Sequence, residues 1–253
     1  HYSVINWSKK GSATNFSEEE YFTTMKRALQ MEELVTKHSA IMDKYDPQKK
    51  KHLAVDEWGG WYDVEPGTNG AFLFQQNTMR DAVLAGATLN IFNNHCDRVK
   101  MANLAQIINV LQAVILTKEE KLVLTPTYHV MEMYNVHHDA TMLPLKVTSN
   151  KYILGKDTLI AVWASASKNK NGSTHISLVN VDAKQAQSVS ININGANYRT
   201  VSGRILTSDK MQNYNSFENA NKIVPAVFNG AKLNGSNLNL NIPPFSVVVL
   251  ELK

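Results

Sequence analysis

The periodicity of the apolar residues changes near the middle of the chain, and this change most constrains the fold. Residues 17–137 are rich in Met, Leu, Ala, Gln and Glu at helical spacing, whereas residues 140–253 are rich in Val, Ile, Ser, Thr, Asn and Gly in alternation. Helical spacing mixed with short apolar runs indicates an α/β layer structure, and alternation indicates antiparallel sheets. We therefore predict an α/β part over residues 1–138, followed by an all-β part over residues 139–253.

The α/β part begins with a clear helix and a buried strand. Ser17 followed by Glu20 is the pattern of a capping box, and it precedes a helical apolar stripe over residues 18–43. The short run over residues 53–55 is entirely apolar, as expected of a strand that is buried on both faces. It ends at the acidic pair Asp56-Glu57, so two carboxylates are expected at the carboxyl end of a buried strand.

Further helices and strands are expected to follow in alternation. We predict three more helices, over residues 72–85, 101–116 and 125–138, and one more strand, over residues 87–92. Gly86 is expected to end the first of these helices. Polar side chains after each strand are typical of a (β/α)8 barrel, whose sites are built on the loops that follow the strands. Two strands and a short run over residues 2–5 are too few to close a barrel of eight, so the chain is expected to hold only part of one.

The all-β part consists of alternating segments separated by turn signals. The predicted strands cover residues 158–165, 174–181, 188–193, 198–206, 222–227 and 238–252. Asn-Gly pairs, which are typical of hairpin turns, begin at residues 171, 194, 229 and 234. Pro243-Pro244 interrupts the last segment and is expected at a bend or an edge. The pattern predicts a β-sandwich of the jelly-roll type.

Composition argues against several classes of function. No run of 18 apolar residues is present, so a membrane-spanning helix is not expected. The 26 basic residues nearly balance the 22 acidic ones and form no long block, so nucleic-acid binding is not expected either. Cys96 is the single cysteine, which excludes a disulfide within the chain. The pairs His95-Cys96 and His137-His138 lack the spacing of zinc ligands, and we predict no metal and no organic cofactor.

The segment over residues 56–62, Asp-Glu-Trp-Gly-Gly-Trp-Tyr, is the strongest candidate for a functional site. A carboxylate at the end of a barrel strand points into the mouth of the barrel, and tryptophan offers flat faces on which sugar rings stack. A glycosidase needs one carboxylate as nucleophile or base and a second as acid opposite it. An acidic pair at the end of a strand can instead cap a helix or bind an arginine. The residues alone therefore leave the catalytic and the structural interpretation open. The loop over residues 90–106 is a weaker candidate, because Asp97-Arg98 fits an ordinary surface pair.

Several long strings resemble the α-L-arabinofuranosidases of glycoside hydrolase family fifty-one. These strings are Asp56-Glu57-Trp58 with Trp61-Tyr62, Glu65-Pro66-Gly67-Thr68-Asn69, Gln75 to Ala82, Leu89 to Phe92, Asp97 to Asn103, and Leu124 to Val130. They occur in order over most of residues 1–138, whereas the part from about residue 140 resembles the family only in style. The resemblance implies the C-terminal part of a (β/α)8 TIM barrel, joined to a C-terminal β-sandwich that is jelly-roll-like.

The resemblance also implies a reaction and residues for it. It implies a retaining glycoside hydrolase that releases terminal α-L-arabinofuranosyl residues from arabinose-containing polysaccharides or oligosaccharides. Glu57 resembles the catalytic nucleophile and Trp61 resembles a wall of the sugar subsite. Gln106 resembles a hydrogen-bond partner of the sugar or of the nucleophile, and His1 and Tyr2 resemble the His-Tyr pair that the family places beside it.

The sequence also departs from the family pattern. Ser3, Gly59 and Cys96 stand where relatives often carry other residues. More importantly, the acid/base of the family is a Glu in an Asn-Glu motif on an earlier strand, and no such pair precedes Glu57. We therefore expect the acid/base to lie on an N-terminal half outside this chain, and the isolated chain to be incomplete and inactive.

An unclosed barrel also predicts a partner. Its exposed strand edges are expected to pair with the N-terminal half of the same enzyme or with a second copy, and the resemblance implies a homo-oligomer. The alternative function is an inactive fragment, or a carbohydrate-binding or assembly module. The sequence leaves the linkage, the polymer and the compartment open, whether cytoplasmic or periplasmic and secreted.

Overall fold

The computed structural model describes residues 1–253, and its first half is built around a three-stranded parallel sheet. The strands β1 (Tyr2–Ile5), β2 (Leu53–Trp61) and β3 (Val99–Leu104) lie in the order β1-β2-β3. Helix α1 (Glu18–Tyr45) joins β1 to β2, and helix α2 (Met79–Asn94) joins β2 to β3. Two successive parallel βαβ units are the repeating element of a (β/α)8 barrel, so this chain contributes three of its strands.

The predicted capping box fixes the start of α1. Ser17 Oγ accepts a hydrogen bond from the Glu20 backbone N–H at 3.2 Å, and Glu20 Oε2 accepts one from the Ser17 backbone N–H at 2.8 Å. The buried face of α1 includes Tyr21, Met25 and Val35, which belong to the main hydrophobic core. The helix predicted over residues 18–43 is therefore confirmed, since its signals are local.

The helix predicted over residues 72–85 exists with other bounds, and the strand predicted over residues 87–92 is wrong. Residues 73–78 form a loop, and α2 continues through Gly86 and through the whole of the predicted strand. A Cβ atom at Gly86 would lie 2.9 Å from Val179 Cγ2 and 3.2 Å from Val247 Cγ2, so only glycine lets α2 approach the sandwich this closely. Almost every residue between Met79 and Phe92 is buried, and a helix buried on all sides lacks the amphipathic period of a surface helix.

The helix predicted over residues 101–116 is also wrong. The segment contains most of β3, an irregular stretch, and the start of a hairpin formed by β4 (Ile115–Lys118) and β5 (Lys121–Leu124). Its apolar residues recur at helical spacing, but Ile107 and Ile108 are exposed and pack on no core. The helical spacing of these apolar residues therefore does not correspond to a buried helical face.

The last helix of the first half is confirmed. Helix α3 (Pro126–Tyr134) has Pro126 in its first turn, and the Thr125 side chain accepts a hydrogen bond from the Tyr128 backbone N–H. A short 3-10 helix over Asn135–His137 completes the predicted span. None of these helices combines the length and the apolar character needed to cross a bilayer.

The second half consists of antiparallel strands, as predicted. The segment predicted as one strand over residues 158–165 is divided between two strands, and only the last two residues of the segment over 222–227 form a strand. The strands are β6 (Thr141–Leu143), β7 (Lys151–Leu154), β8 (Asp157–Ile160), β9 (Val162–Lys168), β10 (Thr174–Asn180), β11 (Gln187–Asn192), β12 (Val201–Leu206), β13 (Ala226–Val227), β14 (Ala231–Asn234), β15 (Asn237–Ile242) and β16 (Ser246–Leu252). A six-stranded sheet has the order β13-β12-β16-β10-β9-β6, and a three-stranded sheet has the order β11-β15-β14. Strands β7 and β8 pair only with each other. A core of 13 buried apolar side chains lies between the two larger sheets, which makes the unit a β-sandwich.

Two of the four Asn-Gly pairs form hairpin turns. Asn171-Gly172 joins β9 to β10 and Asn234-Gly235 joins β14 to β15, and both pairs of strands are antiparallel neighbours. Asn194-Gly195 and Asn229-Gly230 instead connect strands that belong to different sheets. Pro243-Pro244 lies where the chain passes from β15 to β16 and so from one sheet to the other, which fits the predicted bend.

The two halves of the molecule share one hydrophobic core. A cluster of 32 buried apolar side chains includes Met25, Trp58 and Leu84 from the first half, together with Val179 and Val247 from the sandwich. The division predicted after residue 138 falls in the link between α3 and β6. We retain this domain boundary as a proposal. Apolar packing continues across it.

Buried polar side chains also join α2 to the sandwich. Asn90 Oδ1 accepts hydrogen bonds from the hydroxyls of Ser165 and Ser177 at 2.8 and 2.7 Å. Ser177 Oγ lies 3.0 Å from Nε2 of His137, whose Nδ1 lies 2.7 Å from Ser167 Oγ. His137 is therefore enclosed by neutral partners, with no carboxylate to balance a positive charge.

We expect the stability of the protein to fall in mild acid because of His137. Burial, aided by His175 and His138, lowers the pKa of His137 from 6.5 to about 4. Between these two values the unfolded chain binds a proton that the folded chain does not, so stability decreases as the pH falls. Through this residue, the free energy of unfolding should be about 2 kcal/mol lower at pH 5 than at pH 7. Urea titrations at both pH values, on the natural sequence and on His137→Gln, measure the effect. An equal pH dependence in the two proteins would contradict it.

Candidate active site

Strand β2 carries an extra residue at the acidic pair. Between Val55 and Trp58 it has one residue more than the facing stretch of β3, which makes a β-bulge. A bulge turns side chains out of the regular alternation and is common beside active sites. Val55 and Trp58 are both buried, whereas the two carboxylates between them stay accessible, with 70% of the Asp56 side chain and 32% of the Glu57 side chain exposed. The strand continues to Trp61, so the acidic pair lies within β2 and not after it.

His1 is the predicted site residue that lies beside Glu57. Its Nδ1 is 3.5 Å from Glu57 Oε2, and its Nε2 is 3.3 Å from Ser3 Oγ. The contact places an imidazole ring against the carboxylate that is predicted to be the nucleophile.

Tyr2 does not lie beside Glu57. Its hydroxyl is 2.8 Å from both the Arg27 carbonyl oxygen and Gln30 Oε1, which belong to α1. Successive side chains of a strand point to opposite faces, so Tyr2 faces the helix while His1 faces the open side of the sheet. The placement does not support the prediction of a direct sugar contact for Tyr2, which instead attaches β1 to α1.

Trp61 and Gln106 lie at the carboxyl ends of their strands. Trp61 is the last residue of β2 and pairs with Ile5 of β1, and the Lys10 ammonium lies 5.1 Å from the centroid of its ring. This cation–π contact orients the indole ring at the mouth of the barrel. Gln106 follows β3 by two residues, is exposed, and its side chain makes no hydrogen bond within the chain. Both side chains are therefore at the edge of the sheet where barrel enzymes bind substrate.

A buried amide network, which the sequence analysis missed, supports the end of β2 around Gly60. Gln112 Oε1 accepts a hydrogen bond from the Gly60 N–H at 2.7 Å, and Gln75 Nε2 donates to the Gly60 carbonyl at 3.0 Å. Nδ2 of Asn77 and Nε2 of Gln112 both donate to Thr127 Oγ1, at 2.8 and 3.1 Å. The four polar residues in a row at 75–78 were a possible signal, since such a run does not suit the interior of a helix.

A buried arginine ties together the loops that follow β1 and β2. The Arg80 guanidinium lies 3.8 Å from the ring centroid of Phe16 and 3.6 Å from that of Tyr62, and it donates to the Ala13 carbonyl at 3.2 Å. Burial raises the pKa of the neighbouring Asp81 carboxyl, while the positive charge of Arg80 acts in the opposite direction. These contacts hold the backbone beside Trp61 in a fixed position.

Within residues 90–106, Asp97 and Arg98 make structural ion pairs. Arg98 is fully buried and binds Asp43 and Asp46 at the end of α1, whereas Asp97 pairs with a lysine at the surface. The interpretation of Asp97-Arg98 as an ordinary surface pair is therefore wrong for Arg98. A buried arginine needs such partners, and these contacts fix the edge of the sheet opposite to Trp61.

The structure combines the end of a (β/α)8 barrel with a β-sandwich, and it leaves a carboxylate pair accessible on the barrel sheet. The family model described as the alpha-L-arabinofuranosidase C-terminal domain matches residues 56–246. The chain belongs to this family, and both the resemblance to α-L-arabinofuranosidases and the predicted fold class are confirmed.

Relatives with known names span more sequence than this chain. It is 49% identical over 255 residues to an intracellular exo-α-L-arabinofuranosidase of Bacteroides ovatus, in a match that covers 100% of this chain and 50% of that protein. It is 22% identical over 240 residues to intracellular exo-α-(1→5)-L-arabinofuranosidase 1 of Bacillus subtilis (strain 168), covering 90% of this chain and 48% of that protein. The chain thus spans about half the length of the curated relatives it matches.

Solved structures give the same result. The GH51 arabinofuranosidase from Xanthomonas axonopodis pv. citri superposes with a TM-score of 0.98 at 47% identity, covering 100% of this chain and 52% of that one. The α-L-arabinofuranosidase from Thermotoga maritima, solved as an arabinose complex, superposes with a TM-score of 0.77 at 23% identity, covering 93% and 50%. The second likeness concerns the fold alone.

Proposed function

We propose that the protein is a retaining α-L-arabinofuranosidase whose nucleophile is Glu57. The observation that carries this proposal is the bulge of β2, which leaves Glu57 accessible on the open face of the barrel sheet, 3.5 Å from His1. The names of the relatives support the substrate class, which is terminal α-L-arabinofuranosyl units of polysaccharides or oligosaccharides.

In the proposed reaction, the ionised carboxylate of Glu57 attacks the anomeric carbon. The bond from this carbon to the leaving oxygen breaks while an acid donates a proton to that oxygen, and a covalent arabinofuranosyl–enzyme forms. Water then attacks the same carbon, with the former acid now acting as base, and Glu57 is released as a carboxylate. Two inversions give overall retention. Trp61 forms a wall of the sugar site, and the free amide of Gln106 binds sugar hydroxyls.

The second carboxylate, in this proposal, belongs to an N-terminal half that supplies the other barrel strands. A retaining enzyme needs its two carboxyl groups about 5–5.5 Å apart on opposite sides of the scissile bond. Asp56 is the adjacent carboxylate, but two consecutive residues of one strand do not face each other across a sugar ring. Strands β1 and β3 each have one unpaired edge, which offers hydrogen bonds to further strands.

We further propose an intracellular location and self-association into a homo-oligomer. The Bacteroides ovatus and Bacillus subtilis relatives are both named as intracellular enzymes, which supports the first proposal. The family resemblance supports the second, and a second copy at the unpaired sheet edges is the alternative to the N-terminal half.

Hydrolysis by the assembled enzyme tests the proposed function. We define the assembled enzyme as this chain joined to the N-terminal half of the Bacteroides ovatus relative. Proton NMR during hydrolysis of p-nitrophenyl α-L-arabinofuranoside should detect α-L-arabinofuranose first and the β anomer only after mutarotation. Initial appearance of the β anomer would contradict a retaining mechanism. Absence of any hydrolysis would favour the non-catalytic carbohydrate-binding or assembly module.

A further inference from the structure

A cleft of about 900 Å³ opens beside Gln106, and the proposed mechanism does not use it. Its walls come from the loop after β2 over residues 68–76, from residues 106–118, and from residues 214–218 before β13. The volume is at the upper end of the range of about 300–1,000 Å³ that is typical of ligand sites. It is larger than a single arabinose unit requires.

Aromatic side chains are exposed in this cleft. Phe72 is 69% exposed and Tyr214 is 36% exposed. Phe74 and Phe217 line the same cleft and pack on a small hydrophobic cluster under the β4–β5 hairpin, which supports its floor. Grouped exposed aromatic rings mark a binding surface more often than a solvated one, and their flat faces suit the C–H faces of sugar rings.

The polar groups of the cleft favour a neutral ligand. The side chains of Gln106, Lys118 and Tyr214 line it and make no hydrogen bond within the chain. Lys118 and Glu218 are its charged residues, one of each sign, and a hydrogen bond from Ser216 lowers the pKa of the Glu218 carboxyl. The cleft therefore offers hydrogen-bond donors and acceptors but carries no net charge. This lining suits a neutral polyhydroxyl ligand, whereas an anionic polymer would need an excess of positive charge.

Gln106 is the residue that relates the cleft to the proposed catalytic site. Gln106 lines the cleft and follows Leu104 by two residues, and Leu104 pairs with Trp58, which adjoins Glu57. A saccharide whose terminal unit lies at Glu57 can therefore continue past Gln106 into the cleft. We propose that the cleft binds the neutral pentose units on the leaving-group side of the scissile bond, with Phe72 and Tyr214 as stacking surfaces.

This inference rests on the proposed function for the position of the cleft relative to the scissile bond. The binding test does not depend on that function. All residues that line the cleft belong to this chain, so binding is measurable without hydrolysis and without a second carboxylate. The probe is α-1,5-linked arabinotriose, titrated into this chain and followed by calorimetry. Failure to bind would overturn the cleft proposal alone, whereas failure to hydrolyse an aryl arabinofuranoside would overturn the proposed function alone.

We expect saturable binding of arabinotriose that Phe72→Ala and Tyr214→Ala each weaken about tenfold, because each removes an exposed aromatic face. Tyr214→Phe should keep most of the affinity, since it keeps the ring and loses only one polar group. Tyr45→Ala is the matched control, because it removes a tyrosine that is 87% exposed at the end of α1. Both cleft side chains are accessible to solvent, so their removal should leave the thermal unfolding midpoint unchanged.

Three results of the titrations would overturn the proposal. These are no saturable binding, equal affinity in Phe72→Ala and the natural sequence, or a loss in Tyr45→Ala as large as in the cleft variants. A dimer that forms through the cleft would also overturn it, and light scattering would detect this as self-association that Phe72→Ala abolishes.

Discussion

Replacing Glu57 with glutamine is expected to lower kcat/KM of the assembled enzyme for p-nitrophenyl α-L-arabinofuranoside by about 10⁴-fold or more. Glutamine keeps the size of the side chain and its place on the bulge of β2, but it carries no negative charge. It cannot attack the anomeric carbon, so the covalent intermediate does not form. Initial rates over a range of substrate concentrations measure the loss.

The neighbouring carboxylate provides the control for this variant. Asp56 lies on the same bulge and is 70% exposed, so Asp56→Asn removes a charge of the same sign from nearly the same position. We expect Asp56→Asn to keep most of the activity, because its carboxylate is not the attacking group. A loss in Asp56→Asn equal to that in Glu57→Gln, or high activity in Glu57→Gln, would contradict the assignment.

The chain without an N-terminal half is expected to hydrolyse the same substrate about 10²–10⁴-fold more slowly than the assembled enzyme. In the proposed mechanism, its three barrel strands carry the nucleophile, and the acid on the opposite side of the scissile bond comes from the other half. The leaving oxygen then departs without a proton, which raises the barrier. Adding the purified N-terminal half in increasing amounts should raise the rate to a plateau.

Comparing two leaving groups distinguishes loss of the proposed acid from distortion of the whole site. A dinitrophenolate ion departs without protonation more readily than p-nitrophenolate. The ratio of the hydrolysis rates of the assembled enzyme and the isolated chain should therefore be smaller for a dinitrophenyl substrate. An isolated chain as fast as the assembled enzyme would refute the need for a second half. An equal difference for both substrates would indicate that the isolated chain has lost its site as a whole.

Local signals predicted some elements of the fold, and tertiary packing decided the others. The start of α1 was predictable because the Ser17–Glu20 capping box is contained within four residues. The second half of α2 was not, because its residues are buried on all sides and an apolar run of this kind fits a buried strand equally well. The sequence predicts Gly86 at the end of a helix, whereas its small size serves the contact with Val179 of the sandwich.

The candidate site shows the same division. Glu57 could be proposed from the motif around it, but the bulge depends on the register between β2 and β3, and the sequence suggested a helix over most of β3. The different positions of His1 and Tyr2 follow from simple strand alternation and were predictable in principle. The hydrogen bond from the Gly60 N–H to Gln112 Oε1 joins residues 52 positions apart, so no local sequence pattern predicts it.

A covalent label is the most direct test of Glu57 as the nucleophile. The assembled enzyme is incubated with an arabinofuranosyl inhibitor that forms the glycosyl–enzyme but hydrolyses slowly, then digested and examined by mass spectrometry. We predict one added arabinofuranosyl group on Glu57, and none in the Glu57→Gln variant. A label on another carboxylate, or the same labelling in the variant, would contradict the central claim.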